Sequence, residues 1–339
     1  MSERLHPCSL DEVAWGTIWG KPALTDMIAL APADPEREQK RRERKIAAKY
    51  RGDFAWRLVF ECLWGVGGWV AMIVLALEGI VPYWVACLVN GWLAYALYMP
   101  LHEATHGNVS GRHGKLRWVD DWVGWLSSIP LAFSYRGHQS SHMKHHAHTN
   151  DPGRDPDYFI CGRLSELPRR YLIFALMQLL LPIVEYVPGS RRLLPALLRS
   201  ALELGNESSY ERPIFRRSQT LALLALIGLG LAGFFWEALL LWYLPARIGL
   251  FVIFFVFAWL PHHPHDERGR YRDTRITLFP GSTLLIRGQD HHLLHHMFPR
   301  VPHYRLPRLF GEIRPILEEQ GARIEGPLAG PGAPKIRML

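Results

Sequence analysis

Fourteen of the 17 histidines in this 339-residue chain fall in four short blocks. They are His102 and His106; His138, His142, His145, His146 and His148; His262, His263 and His265; and His291, His292, His295 and His296. Neutral imidazole is a good ligand for borderline metals such as iron and zinc. His102 and His106 stand four apart, and both His142, His145, His146 and His292, His295, His296 follow an i, i+3, i+4 pattern. On an α-helix those positions share one face, so several rings can point at one ion. One ion takes three or four such ligands, and the chain carries enough for two. Asp151, Asp155, Asp157, Asp266, Asp273 and Asp290 are on hand to orient ring N–H groups. His138, His148, His263 and His291 read as neighbours of ligands, while His6, His113 and His303 read as surface residues.

The blocks need elements to bring them together, and the apolar residues supply these. Residues 58–77, 81–101 and 219–243 are each about long enough to cross a bilayer, and 245–261 is a shorter fourth candidate. Residues 171–187 are apolar too, but Pro182 and Glu185 interrupt them, which suggests an interfacial position. Short linkers at 78–80 and 244–247 pair the four runs into two hairpins. Buried core helices of a soluble protein are the alternative, but four such runs are hard to hide in a chain of this size. The predicted fold is therefore all-α: an integral membrane protein with four transmembrane helices in two hairpins and a cytoplasmic helical cap. Within the first run, Glu61 either snorkels or pairs inside the bundle.

Residues 37–57 carry nine Lys or Arg just before the first run, and the long polar connection and tail are also Arg-rich. The positive-inside rule then places both termini, and every histidine block, on the cytoplasmic side. A net charge of +8 is read as membrane topology and anionic-lipid contact rather than nucleic-acid binding. The four cysteines, Cys8, Cys62, Cys87 and Cys161, form no CxxC pair and no disulfide framework. The N-terminus carries no signal-peptide pattern. The Gly/Pro-rich end from Gly326 reads as disordered. Three regions are expected: an interfacial segment 1–54, a membrane domain 55–310 and a tail 311–339.

Two other readings compete. His102-Glu103-Ala104-Thr105-His106 fits H-E-x-x-H, in which two histidines bind zinc and the glutamate is general base of a metalloprotease. That reading leaves the two distal H-x-x-H-H blocks unexplained. A metal transporter would place its ligands within the spans, whereas these blocks flank them.

The motifs HEATHG, HMKHHAHTNDPGRDPD and HHLLHHMFPRVPHYRLP resemble the three histidine boxes of the membrane fatty acid desaturase and hydroxylase superfamily. The resemblance spans roughly residues 55–310. It implies His102, His106, His142, His145, His146, His292, His295 and His296 as metal ligands, with His262 as the extra histidine before the last box. It also implies two iron ions, O2 as co-substrate, an external ferredoxin- or cytochrome-like electron donor and a lipid substrate. Glu103 is then structural rather than a base. Asp290 stands where many members carry Asn, which raises the question of its effect on the site. Fatty acyl desaturation or hydroxylation is the first expectation. The stretch Leu260-Pro261-His262-His263-Pro264-His265-Asp266 also resembles the carotenoid ketolase and hydroxylase branch, which makes a carotenoid the alternative substrate.

Overall fold

The computed structural model describes residues 35–195 and 210–336, so the readings of His6, Cys8 and the N-terminal leader lie outside the described residues. Contacts divide the chain into two units, Met1–Glu43 and Arg44–Leu339. Helix α1 (Pro35–Ala48) is highly charged, with Lys40 paired to Glu36 and Arg41 to Glu38. The apolar helices α2 (Trp56–Leu77) and α3 (Tyr83–Thr105) follow as a hairpin. Next come α4 (Arg117–Ser128), α5 (Tyr135–His148) and α6 (Leu167–Tyr186). After them α7 (Glu211–Leu231) pairs with the long α8 (Phe235–Trp259). Beyond α8 lie β1 (Ile276–Thr277), α9 (Ser282–Leu285), α10 (His292–Met297), α11 (Leu306–Glu319) and β2 (Ile324–Glu325). The strands pair in parallel, Ile276 opposite Ile324 and Thr277 opposite Glu325. The described part of the tail is placed as well, with Ala329 3% exposed and its carbonyl accepting from Arg314.

Five helical segments among the described residues are long and apolar enough to cross a membrane: α2, α3, Leu164–Tyr186, α7 and α8. Two sequence expectations are corrected here. The turn between the last two apolar helices is not at 244–247 but at Ala232-Gly233-Phe234, where Gly233 takes φ +92. Pro245 and Arg247 lie inside α8. The π-helical segment Leu239–Tyr243 just before Pro245 widens the ladder where proline has no N–H to give. Arg247 is 8% exposed; it donates to Gln178 at 2.6 Å and to the Leu131 carbonyl at 3.0 Å, with its guanidinium on the Tyr243 ring. Residues 171–186 fall in an unbroken helix that carries Pro182 within it. Glu185 pairs with Arg191, and Glu61 pairs with Arg57 and Arg287.

Helices α3 and α8 set the height of the histidines, and glycines let them approach. A Cβ on Gly249 would lie 2.8 Å from Ala94 Cβ and 2.9 Å from the Gly91 carbonyl. Small residues at a crossing bring backbones together in this way. His102 lies 11 residues beyond Gly91 and His262 13 beyond Gly249. At 1.5 Å per residue these are climbs of about 17 and about 20 Å, so both histidines leave the crossing at similar heights. Helix α5 is tied to α3 by Tyr135, whose hydroxyl donates to the Ala104 carbonyl at 3.2 Å while its ring passes over Gly124. Ser134 caps α5, its hydroxyl accepting from Gly137 N at 3.1 Å. The outer face of α4 carries Trp118, Trp122, Trp125 and, just beyond the helix, Ile129, all exposed.

Candidate metal centre

Nine histidines from four segments meet in two groups. His102 and His106 from the end of α3, His142 and His146 from α5 and His295 from α10 form the first. His145 from α5, His262 just after α8, and His292 and His296 from α10 form the second. Within each group the ligand nitrogens all lie within 4.8 Å of one another. These are the nine residues singled out from the sequence. The alternation on α5 is what one helix face requires: His142 and His146 are one turn apart, with His145 turned toward the other group.

The nitrogens converge in a way that hydrogen bonds alone do not satisfy. His142 Nε2 lies 3.0 Å from both His106 Nε2 and His146 Nε2, and His146 Nε2 lies 3.0 Å from His295 Nε2. His292 Nε2 stands likewise 3.0 Å from the Nε2 atoms of His262 and His296. His102 is 1% exposed, and neither of its nitrogens has a hydrogen-bond partner among the described residues. A shared proton serves one lone pair; a cation serves all of them. With metal–nitrogen bonds of about 2.1 Å, right-angled ligands lie about 3.0 Å apart and tetrahedral ones about 3.4 Å. The spacing and the five nitrogens of the first group both fit an ion that takes more than four ligands.

The outward nitrogens are held from behind. His145 Nδ1 donates to Asp155 at 2.8 Å, and Asp155 also accepts from the backbone N–H groups of Asn150 and Asp157. Asp157 lies 3.8 Å from the same His145 nitrogen, so the grouping of His145, Asp155 and Asp157 is the outer face of the second site. His292 Nδ1 donates to Gln289, and His296 Nδ1 to the Thr149 hydroxyl at 3.2 Å. Such contacts fix each ring's tautomer with Nε2 as the inward lone pair.

Burial first, and neighbouring imidazoles second, hold His106, His142, His146, His295 and His296 well below the usual imidazole range, so these rings are neutral. At His145 burial acts the same way. There the charge and hydrogen bond of Asp155, then Asp157 and Asp273, outweigh it and raise the ring to about 9.

Other expectations fare differently. Asp290 reaches none of the nine histidines; it accepts from Ser282 at 3.1 Å and Thr283 at 2.5 Å, with His291 Nδ1 at 3.1 Å. Gln289, one residue earlier, does the orienting, and neither it nor Thr149 was flagged by the sequence. The available signal for Gln289 was spacing, since it precedes His292 by three residues; Thr149 meets His296 from a distant part of the chain, which spacing does not show. Glu103 accepts from Asn108 at 2.6 Å and from the His303 backbone N–H at 3.0 Å, which occupies both of its oxygens. His303 is therefore buried, not a surface residue, whereas His113 is exposed. His138, His148, His263 and His291 belong to neither group; His138 stacks on His142, and His263 on Trp259.

Both groups open on one cavity of about 390 Å³, where His102, His142, His145 and His292 form part of the wall. Phe133, Phe159, Phe174, Phe254 and Phe257 contribute much of the remainder. Enclosed apolar walls with a few convergent polar groups are the usual form of a lipid-sized ligand site.

A sequence profile of the fatty acid desaturase family matches residues 78–326. An sn-1 acyl-lipid omega-3 desaturase (ferredoxin) of Synechocystis sp. is 28% identical over 68% of this chain and 67% of its own length. A beta-carotene ketolase of a Paracoccus sp. is 27% identical over 64% of this chain and 74% of its own. A chloroplastic sn-2 acyl-lipid omega-3 desaturase of Arabidopsis thaliana is 26% identical over 69% of this chain and 55% of its own. Histidine boxes, apolar helices and profile agree, and the chain belongs to the fatty acid desaturase family.

Proposed function

We propose that this protein is a membrane-bound di-iron oxidoreductase that uses O2 to desaturate an acyl chain of a lipid. One observation carries the reading: two groups of histidines open on a single apolar cavity. In this reading one iron is held by His102, His106, His142, His146 and His295, and the other by His145, His262, His292 and His296. Bound there, iron supplies the O2 reduction and C–H oxidation that no side chain can perform. The protein positions and shields. Phenylalanines hold the methylene chain against the histidine wall and keep water away from it. Asp155, Gln289 and Thr149 keep the ring protons on the outer nitrogens. Glu103 joins α3 to the His303 turn and is not the base of a zinc protease.

Electrons come from outside, and we place their entry beside the first group. Arg117 and Arg300 crowd Gly107, one residue from His106, and burial first, then Arg117 and Arg51, disfavour charge on Arg300. An acidic ferredoxin- or cytochrome-like carrier is complementary to that surface. The positive-inside pattern supports a cytoplasmic position for this face and both termini.

A second reading, oxidation of a carotenoid, is supported by the ketolase relatives and by the Leu260–Asp266 stretch. One experiment separates the readings: metal content of the purified protein together with lipid analysis of an expressing host. Two irons per chain and a new acyl double bond are expected. A new keto or hydroxyl group on a carotenoid would favour the second reading. One zinc and no iron would overturn both.

A further inference from the structure

One polar group in the cavity is not accounted for by desaturation of a plain hydrocarbon chain. Gln219, on α7, lines the cavity and is 4% exposed, yet its Nε2 has no hydrogen-bond partner among the described residues. A buried amide N–H left without an acceptor is destabilising. Gln178, on α6, lines the same cavity. Its Oε1 accepts from Arg247 Nη1 at 2.6 Å, so its amide nitrogen is the end turned away from the guanidinium. Arg247 is itself fixed by the Leu131 carbonyl at 3.0 Å and the Tyr243 ring. The orientation of Gln178 is thus set before any ligand arrives.

The two amides sit on helices that pack together, with Arg216 of α7 over the Tyr186 ring and 3.8 Å from Glu185 at the end of α6. Gln219 follows Arg216 and Arg217 where α7 turns apolar, and Gln178 lies within the apolar run of α6. An amide N–H donates to a neutral oxygen as it stands, and Arg247 is already engaged.

Resting on the desaturase-family reading above, we propose that Gln219 and Gln178 form a polar subsite for a neutral oxygen, hydroxyl or keto, carried on an otherwise apolar lipid chain. The substrate class is an already oxygenated lipid, its oxygen bound where α6 and α7 line the cavity while a carbon further along the chain lies at the histidines. Two sources share this chemistry, a hydroxylated acyl chain and an oxygenated carotenoid.

The test is equilibrium binding to the full-length protein in detergent, without reductant, using two matched pairs. One pair is a hydroxystearoyl lipid and its stearoyl parent; the other is a monohydroxylated carotenoid and its hydrocarbon parent. The oxygenated member of one pair should bind at least about tenfold better, as one recovered buried hydrogen bond allows. In Gln219→Leu that ratio should fall to near one while the parent binds no more weakly. Preference within the acyl pair identifies an acyl source, and within the carotenoid pair a carotenoid source. Ratios near one for both pairs in the wild type, or a ratio that Gln219→Leu leaves unchanged, would overturn the subsite. If Gln219→Leu does not fold, by size exclusion, Gln178→Leu is read in the same way. Turnover with reductant and O2 is scored separately, so failure of the desaturase reading is visible whatever the binding ratios.

Discussion

Asp155 and Gln289 line no part of the cavity, yet they decide which nitrogen of His145 and of His292 faces inward. Asp155→Asn keeps the shape and removes the charge. Iron affinity at the second group should fall by about 10- to 100-fold, the usual cost of losing an outer partner of a metal-bound histidine. Competitive titration with a chelator measures it, and retention of both irons at wild-type strength would contradict the assignment. Arg275 acts from further away. It is fully buried, donates to the Leu260 carbonyl two residues before His262, and pairs with Glu325 at 2.7 Å. Arg275→Met leaves Glu325 buried with one cation fewer, at a cost of about 3–5 kcal/mol by denaturant unfolding. At this scale the sequence was most legible. Ligand spacing is a local helical property, so eight of the nine histidines could be read from it, while the ninth, His262, is implied by the resemblance to the desaturase boxes. The partners behind them could not, because a short turn sends Gln289 toward His292 and Asp290 toward α9, and residue type does not reveal which way each points.

Elements were legible where composition alone decides them and illegible where a side chain rewrites the rule. The α2–α3 hairpin was expected within a few residues. Helix α8 was misread because Pro245 and Arg247 look like loop residues, and only the π-helical segment and the distant Gln178 explain their place in a helix. The crossing of α3 and α8 carries a prediction of its own. Gly249→Leu forces atoms into the Gly91 carbonyl and Ala94, costing at least about 1–3 kcal/mol. It should also separate His102 from His262. Lower thermal stability with loss of the second iron is expected, and unchanged metal content would mean that the crossing does not set the height of the site.

For the whole molecule, the histidine groups tie together four chain segments far apart in sequence, in addition to the α3–α8 crossing and the Tyr135 bond to α3. Metal binding is then folding energy for the cap. Iron removal with a strong chelator should lower the melting temperature, and proteolysis should first cut the polar segments that carry α5 and α10 rather than the apolar helices. Equal melting curves for loaded and stripped protein would show that the cap stands without metal. The exposed tryptophan row of α4 belongs to this scale too. On an interfacial helix those rings sit at headgroup level, so their fluorescence should be quenched by lipids brominated near the headgroup and little by lipids brominated near the chain end.

The second π-helical segment of α8, Phe254–Trp259, ends three residues before His262 and contributes Phe254, Phe257 and Ala258 to the cavity wall. A π turn is an α-helix that has absorbed one surplus residue without twisting its flanks out of register. Length and ligand geometry are thereby uncoupled at this point of the chain. Excising Val256 should relax the segment to ordinary helix, leave His262 with its partners and turn different side chains toward the substrate. The chain has at this position a route to a new pocket by insertion or deletion, one that leaves the metal ligands untouched.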